Sequence, residues 1–193
     1  MERARLTAVA VALAGTVALT GALVSSGASA PARASSAFAW LHPASPPKGW
    51  TVARIPGGAA LAHPPAWRPI KTDPGTASVA LLALDGRITG YLNATPSTGA
   101  ERLDNWRQFR LQHNRDEGQR DVRLLAATED ASFRSGRGAC VIDSYRTSKT
   151  SYREIACLVS GARSSAVVVA AAPSDLFDRQ AATLHRAVSG FAA

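Results

Sequence analysis

The stretch ACVIDSYRTSKTSYREIAC, from Ala139 to Cys157, holds the only two cysteines of the 193-residue chain. Two runs rich in Val, Ile, Tyr and Thr, Ala139–Thr147 and Thr150–Val159, flank a short polar break at Ser148 and Lys149. That pattern predicts an antiparallel hairpin. A two-residue loop pairs Thr147 with Thr150, and counting outward sets Ser144 against Arg153, Ile142 against Ile155 and Cys140 against Cys157. Opposed residues at a non-hydrogen-bonded position stand about 4.5 Å apart at Cα, at the near end of disulfide reach. The same register sets Asp143 against Glu154 and Tyr145 against Tyr152. The two carboxylates are read as ordinary charge on a strand face that meets solvent.

Whether two opposed thiols bond depends on the compartment. Arg3 and Arg5 precede an apolar run, Leu6–Val24, that ends in small residues. This is the layout of a secretory signal peptide. Residues 1–34 are assigned to it, with cleavage after Ala28 or Ala34, where Ser26/Ala28 and Ala32/Ala34 supply the small side chains. The alternative is an uncleaved N-terminal membrane anchor, because a run of about 19 residues can just cross a bilayer. No cysteine lies near the cut, so a lipidated N-terminal cysteine is excluded. Export predicts a Cys140–Cys157 disulfide. A zinc or iron–sulfur site would want about four ligands, commonly in close C-x2-C pairs, whereas the histidines are scattered at 42, 63, 113 and 185. A redox dithiol would be C-x-x-C at a helix start, where the dipole lowers the thiol pKa. No metal and no cofactor are expected.

Residues 35–48 are rich in Pro, Ser and Ala and read as a linker whose Trp40 and Leu41 can dock on the domain. A single domain is expected over 49–193, and about 160 residues are enough for one core. Its strands begin at WTVARI from Trp50, turn at Gly57-Gly58, and resume in AALAH before Pro64 and Pro65 end the run. SVALLALDGRITGYLNAT predicts a hairpin on a two-residue type I′ turn at Asp85-Gly86. A helix is expected in TGAERLDNWRQFRLQHNRDEG, with Thr98 and Glu101 as a capping box, Leu103, Trp106, Phe109 and His113 as its apolar stripe, and Gly118 at its end. His113 is read as a packing residue of that stripe. Strands follow at VRLLAAT, in the cysteine hairpin, and in the continuously apolar SAVVVAAA. Ser174 opens a last helix whose core-facing stripe is Phe177, Ala181, Leu184, Val188 and Phe191. The fold class is α+β: a largely antiparallel sheet with helices packed on it.

The order of elements, with IPGGAALAHPPAW, W-x-x-F-R, Y-R-E-I-A-C and an apolar strand ending in AAP, resembles the PsbP/Mog-like α/β/α sandwich family, in particular secreted actinobacterial relatives near the LpqN-type envelope proteins. The resemblance covers about residues 49–192. It implies a non-catalytic accessory or binding module with an envelope protein as partner, and it carries over no site residues. The chain departs from those relatives in having no lipidated cysteine and no acidic surface of the kind Mog proteins use.

The formal charge is +8, and 19 of the 22 basic residues are arginine. Arginine and alanine have GC-rich codons, so the charge reads as genome composition rather than as a nucleic-acid surface, and export argues against nucleic acid as partner. Arg102, Arg107, Arg110, Arg115, Arg120 and Arg123 gather on and after the central helix and form a candidate surface for anionic lipid headgroups or envelope polymer. Acidic residues at 104, 116, 117 and 121 are interleaved with them, as on a salt-bridged solvated face. No nucleophile elbow, H-E-x-x-H, P-loop or dinucleotide fingerprint is present. The sequence therefore reads as a non-enzyme, with an unrecognised hydrolase as the remaining enzymatic alternative. For a binding module, the candidate surfaces are a face of the sheet or the groove beside the central helix.

Overall fold

Alternating side chains and tight polar turns generate most of the molecule. A computed structural model describes residues 37–193, among which are nine strands and two helices. The signal peptide expected over 1–34 lies outside the described residues. No helix among those described is long and apolar enough to cross a membrane. β1 (Thr51–Arg54) and β2 (Ala60–His63) form a separate two-stranded sheet. They turn at Gly57-Gly58 as expected, with Gly58 N–H donating to Ile55 O. β3 (Arg68–Pro69), β4 (Ala77–Leu82), β5 (Ile88–Pro96), β6 (Arg120–Phe133), β7 (Gly136–Arg146), β8 (Ser151–Gly161) and β9 (Ser165–Pro173) form a seven-stranded sheet in the order β3-β4-β5-β9-β8-β7-β6. Every paired neighbour is antiparallel.

The cysteine hairpin keeps the expected register: Thr147 N–H donates to Thr150 O, and Asp143, Tyr145 and Cys140 oppose Glu154, Tyr152 and Cys157. Cys140 and Cys157 are bonded, with their Cα atoms 4.1 Å apart. The β4–β5 hairpin differs from expectation. Its loop has three residues, Leu84–Gly86, because Gly86 N–H donates to Ala83 O and Ala83 N–H to Arg87 O. Gly86 takes the left-handed conformation, φ +80, that a type I turn followed by a bulge needs.

The helices, α1 (Trp106–Asp116) and α2 (Phe177–Ser189), cover opposite faces of the sheet. On the α2 face, Val79, Leu92, Ile155, Val168 and the disulfide join Phe177, Leu184, Val188 and Phe191 in one buried cluster. Those four residues of the α2 stripe are wholly or almost wholly buried, as the sequence predicts. α2 begins at Phe177 rather than Ser174, because Leu176 N–H first closes a turn on Pro173 O. Residues 37–48 run beside this helix: Phe38 is buried, the Trp40 ring stacks on His185 at 3.9 Å, and Ala44 N–H donates to Ser189 O.

α1 also begins later than its capping box. Both oxygens of the Glu101 carboxylate accept from Thr98, one from its N–H and one from its hydroxyl. The Thr98 oxygen is therefore donating to a side chain instead of capping a helix. The chain turns once more around Asn105, whose side chain accepts from Arg102 N–H and donates to Ala100 O, before Trp106 starts the helix. Gly118, left-handed at φ +78, ends it as expected.

Candidate functional site: the cleft beside the first helix

Strand alternation divides the α1 face into two halves. Ala139, Val141, Ala156, Leu158, Val167 and Val169 make an apolar bed under Trp106. Continuing along β7 and β8, the same face presents Asp143, Tyr145 and Glu154. α1 docks across both halves through residues four apart, which share one edge of a helix. Trp106 Nε1 donates to Ala156 O at 3.0 Å. One turn on, Arg110 Nε and a terminal guanidinium nitrogen reach Glu154 Oε1 at 2.7 and 2.6 Å. A further turn on, Asn114 Nδ2 donates to Asp143 Oδ2 at 3.4 Å.

This overturns the reading of Asp143 and Glu154 as surface charge. Asp143 has no exposed surface and Glu154 1%. The helix that covers them comes from elsewhere in the chain, 29 to 44 residues away from the acids it contacts. Arg110 likewise leaves the expected arginine surface, because its side chain turns inward and is only 12% exposed. Burial disfavours its charge, but the charge of Glu154 and the hydrogen bond to it outweigh that and hold the guanidinium above its ordinary value. Burial, with the nearby charge of Glu154, pushes the Asp143 carboxyl up to about 8, against the opposing pull of Arg110. The Tyr145 hydroxyl is raised by the same two causes, burial first.

The other edge of α1 stands away from the sheet and leaves a cleft of about 640 Å³. Trp106, Phe109 and His113 line its helix side, with the Phe109 and His113 rings nearly parallel at 6.3 Å. His113 is exposed and packs on Phe109 alone among the aromatic rings. The floor is formed by Tyr91, Asn93 and Thr95 of β5, Val167 and Val169 of β9, and Tyr145 and Glu154. The loop Thr72–Thr76 is the far wall, tied to the floor by a chain of hydrogen bonds. Thr95 Oγ1 donates to Asn93 Oδ1, Asn93 Nδ2 to Ser78 Oγ, and Ser78 Oγ to Thr72 Oγ1, which meets Thr76 Oγ1. Both walls are held by side-chain bonds, so the cleft is preformed.

Of the six arginines expected on one surface, Arg102, Arg107, Arg115, Arg120 and Arg123 are exposed. The interleaved acids neutralise little of this set: Arg102 pairs with Asp104, whereas Asp121 pairs with Arg146 on β7 and Asp116 accepts from Gln112.

No protein-family profile and no curated protein sequence matches the chain. Among solved structures, cyanobacterial PsbP (CyanoP) from Synechocystis matches with a TM-score of 0.55 at 14% identity, over 74% of this chain and 91% of that one. LpqN, involved in cell envelope biogenesis of Mycobacterium tuberculosis, matches with a TM-score of 0.51 at 14% identity, over 74% and 89%. A Pseudomonas aeruginosa protein of unknown function matches with a TM-score of 0.49 at 11% identity, over 72% and 94%. The fold is PsbP-like, and at these identities the likeness is one of fold.

The cleft-side acids carry a testable pH dependence. A folded-state carboxyl at about 8, against 3.8 ordinarily, keeps a proton that the unfolded chain releases. Its contribution to stability is complete below about pH 4 and is lost as the pH rises towards 8. Asp143→Asn removes that slope while keeping the shape. Urea unfolding is expected to show the variant gaining on the parent protein from pH 5 to pH 8. A stability difference that stays flat over this range would count against a protonated Asp143.

Proposed function

We propose that this protein is an exported, non-catalytic accessory module of the bacterial cell envelope, and that it works by holding a protein partner in the cleft beside α1. The observation that carries this reading is the preformed cleft, whose two walls are fixed by hydrogen bonds and an ion pair before any partner arrives. Preorganisation of this kind lowers the ordering cost of binding. The N-terminal signal pattern and the PsbP-like fold shared with LpqN support the envelope setting. A photoreactive residue at His113 or Thr76, on the two walls, is expected to trap the same envelope protein repeatedly in intact cells. The same probe at Arg179 or Arg186, exposed on α2 across the sheet, should trap nothing in common with it. Capture that is identical from both faces, or absent from the cleft, would defeat the proposal.

A second reading, in which the protein binds anionic lipid or envelope polymer, is favoured by one observation. Arg107, Arg115, Arg120 and Arg123 are exposed and, among the described residues, make no ion pair. Binding to anionic vesicles that weakens as salt rises distinguishes it from the cleft reading.

A further inference from the structure

We infer that the cleft beside α1 receives a lysine side chain of the partner segment, its ammonium group seated against Gln119 and Glu154. This deepens the proposed function and rests on its assignment of the cleft as the binding site. In a chain of net charge +8, the cleft is lined by four carboxylates, Asp73, Glu101, Glu117 and Glu154, and by a single arginine. That arginine, Arg110, is committed to Glu154. The local field therefore opposes the sign of the whole molecule, and a narrow cleft bounded by protein focuses such a field.

A second, independent observation concerns hydrogen bonding. Among the described residues, two buried side-chain polar atoms have no partner, Gln119 Oε1 and Asp143 Oδ1. Both are oxygens, and both lie near the C-terminal end of α1. Gln119 lines the cleft. Asp143 is wholly buried and projects from the same face of β7 as the cleft residue Tyr145. It is bonded to Asn114 and opposes Glu154 in the register, and both of these also line the cleft. An amide oxygen can only accept, so Gln119 Oε1 costs stability until a donor reaches it. An ammonium group offers three donors and a positive charge on a stem long enough to enter from the rim, where Asp73 and Glu117 are exposed.

The test uses isotope-labelled protein and a short lysine-containing peptide, with the same peptide carrying acetyl-lysine and free spermidine as comparison probes. The lysine peptide is expected to shift the backbone amide signals of Tyr91, Asn93 and Gln119 and to leave those of α2 in place. Acetylation should abolish the shifts, and the Asp73→Asn, Glu117→Gln double variant should weaken binding by about fivefold, as suits two rim charges. Gln119→Met, which keeps volume and removes the acceptor, should weaken it further. Equal binding of the acetylated peptide, unchanged binding by the variants, or shifts centred on α2 would overturn the inference. Spermidine binding as tightly as the peptide would overturn the partner segment as the source. If cleft probes trap a partner but the lysine peptide does not bind, this inference fails alone. If the peptide binds but no partner is trapped, the proposed function fails alone.

Discussion

Arg110→Ala is expected to cost about 3–5 kcal/mol of folding stability, because it leaves the carboxylate of Glu154 buried without its cation. The loss should far exceed that from Arg107→Ala one turn away, where the side chain is exposed and surface substitutions fall within about 0.5 kcal/mol. A lost ion pair and a stranded charge predict different double variants. Changing Arg110 and Glu154 together to methionine removes both charges and leaves comparable volume, and such replacements are often neutral or stabilising. The double variant should therefore recover most of the loss. It should also relieve Asp143 in part: burial, the main cause of its raised carboxyl, stays, but the charge of Glu154, which raises it further and outweighs the opposing pull of Arg110, is gone. Guanidinium unfolding followed by circular dichroism measures all three variants. A single-variant loss under about 1 kcal/mol, or a double variant no better than the single, would mean that the pair is not what pins α1 to the sheet.

The register of the β7–β8 hairpin was legible because alternation and a two-residue turn leave a single pairing that opposes the cysteines. The burial of Asp143 and Glu154 was not, since it is imposed by Arg110 and Asn114, which are 44 and 29 residues away from them in the chain. A signal existed nonetheless. Ala139, Val141, Ala156 and Leu158 share a face with the two acids, and four apolar residues in alternation mark a covered face. On α1 the stripe was found, but its orientation was displaced. Trp106 is common to both edges; the expected stripe continued through Phe109 and His113, whereas the edge on the sheet continues through Arg110 and Asn114. A long cation and an amide carry no apolar signal, so periodicity counted them as outward. The groove beside the central helix, one of two candidate surfaces, emerges from that rotation. Turn chemistry failed at Asp85-Gly86 for a local reason: Asp-Gly serves both the two-residue turn and the three-residue loop with a left-handed glycine.

Breaking the Cys140–Cys157 bond is expected to cost about 2–5 kcal/mol, and to cost the same whichever cysteine is changed. Cys140→Ala, Cys157→Ala and the double variant each remove one bond, so their unfolding midpoints should cluster together. The bond joins strands that are already paired over eleven residues, Gly136–Arg146 with Ser151–Gly161. Its main effect is therefore on the unfolded chain, where it closes a loop worth roughly 3 kcal/mol on the chain-entropy account. The variants should keep the native circular dichroism spectrum and lose stability, not structure. Both sulfur-bearing residues are at most 1% exposed, within the core that α2 covers. A mild reductant should accordingly leave the native protein intact and open the bond only once denaturant exposes it. A redox pair would cycle in the folded state, and its loss would spare stability. Thiol titration of the purified protein in denaturant without reductant should find no free thiol; two free thiols, or single variants that differ widely from each other, would sink the structural role of this bond.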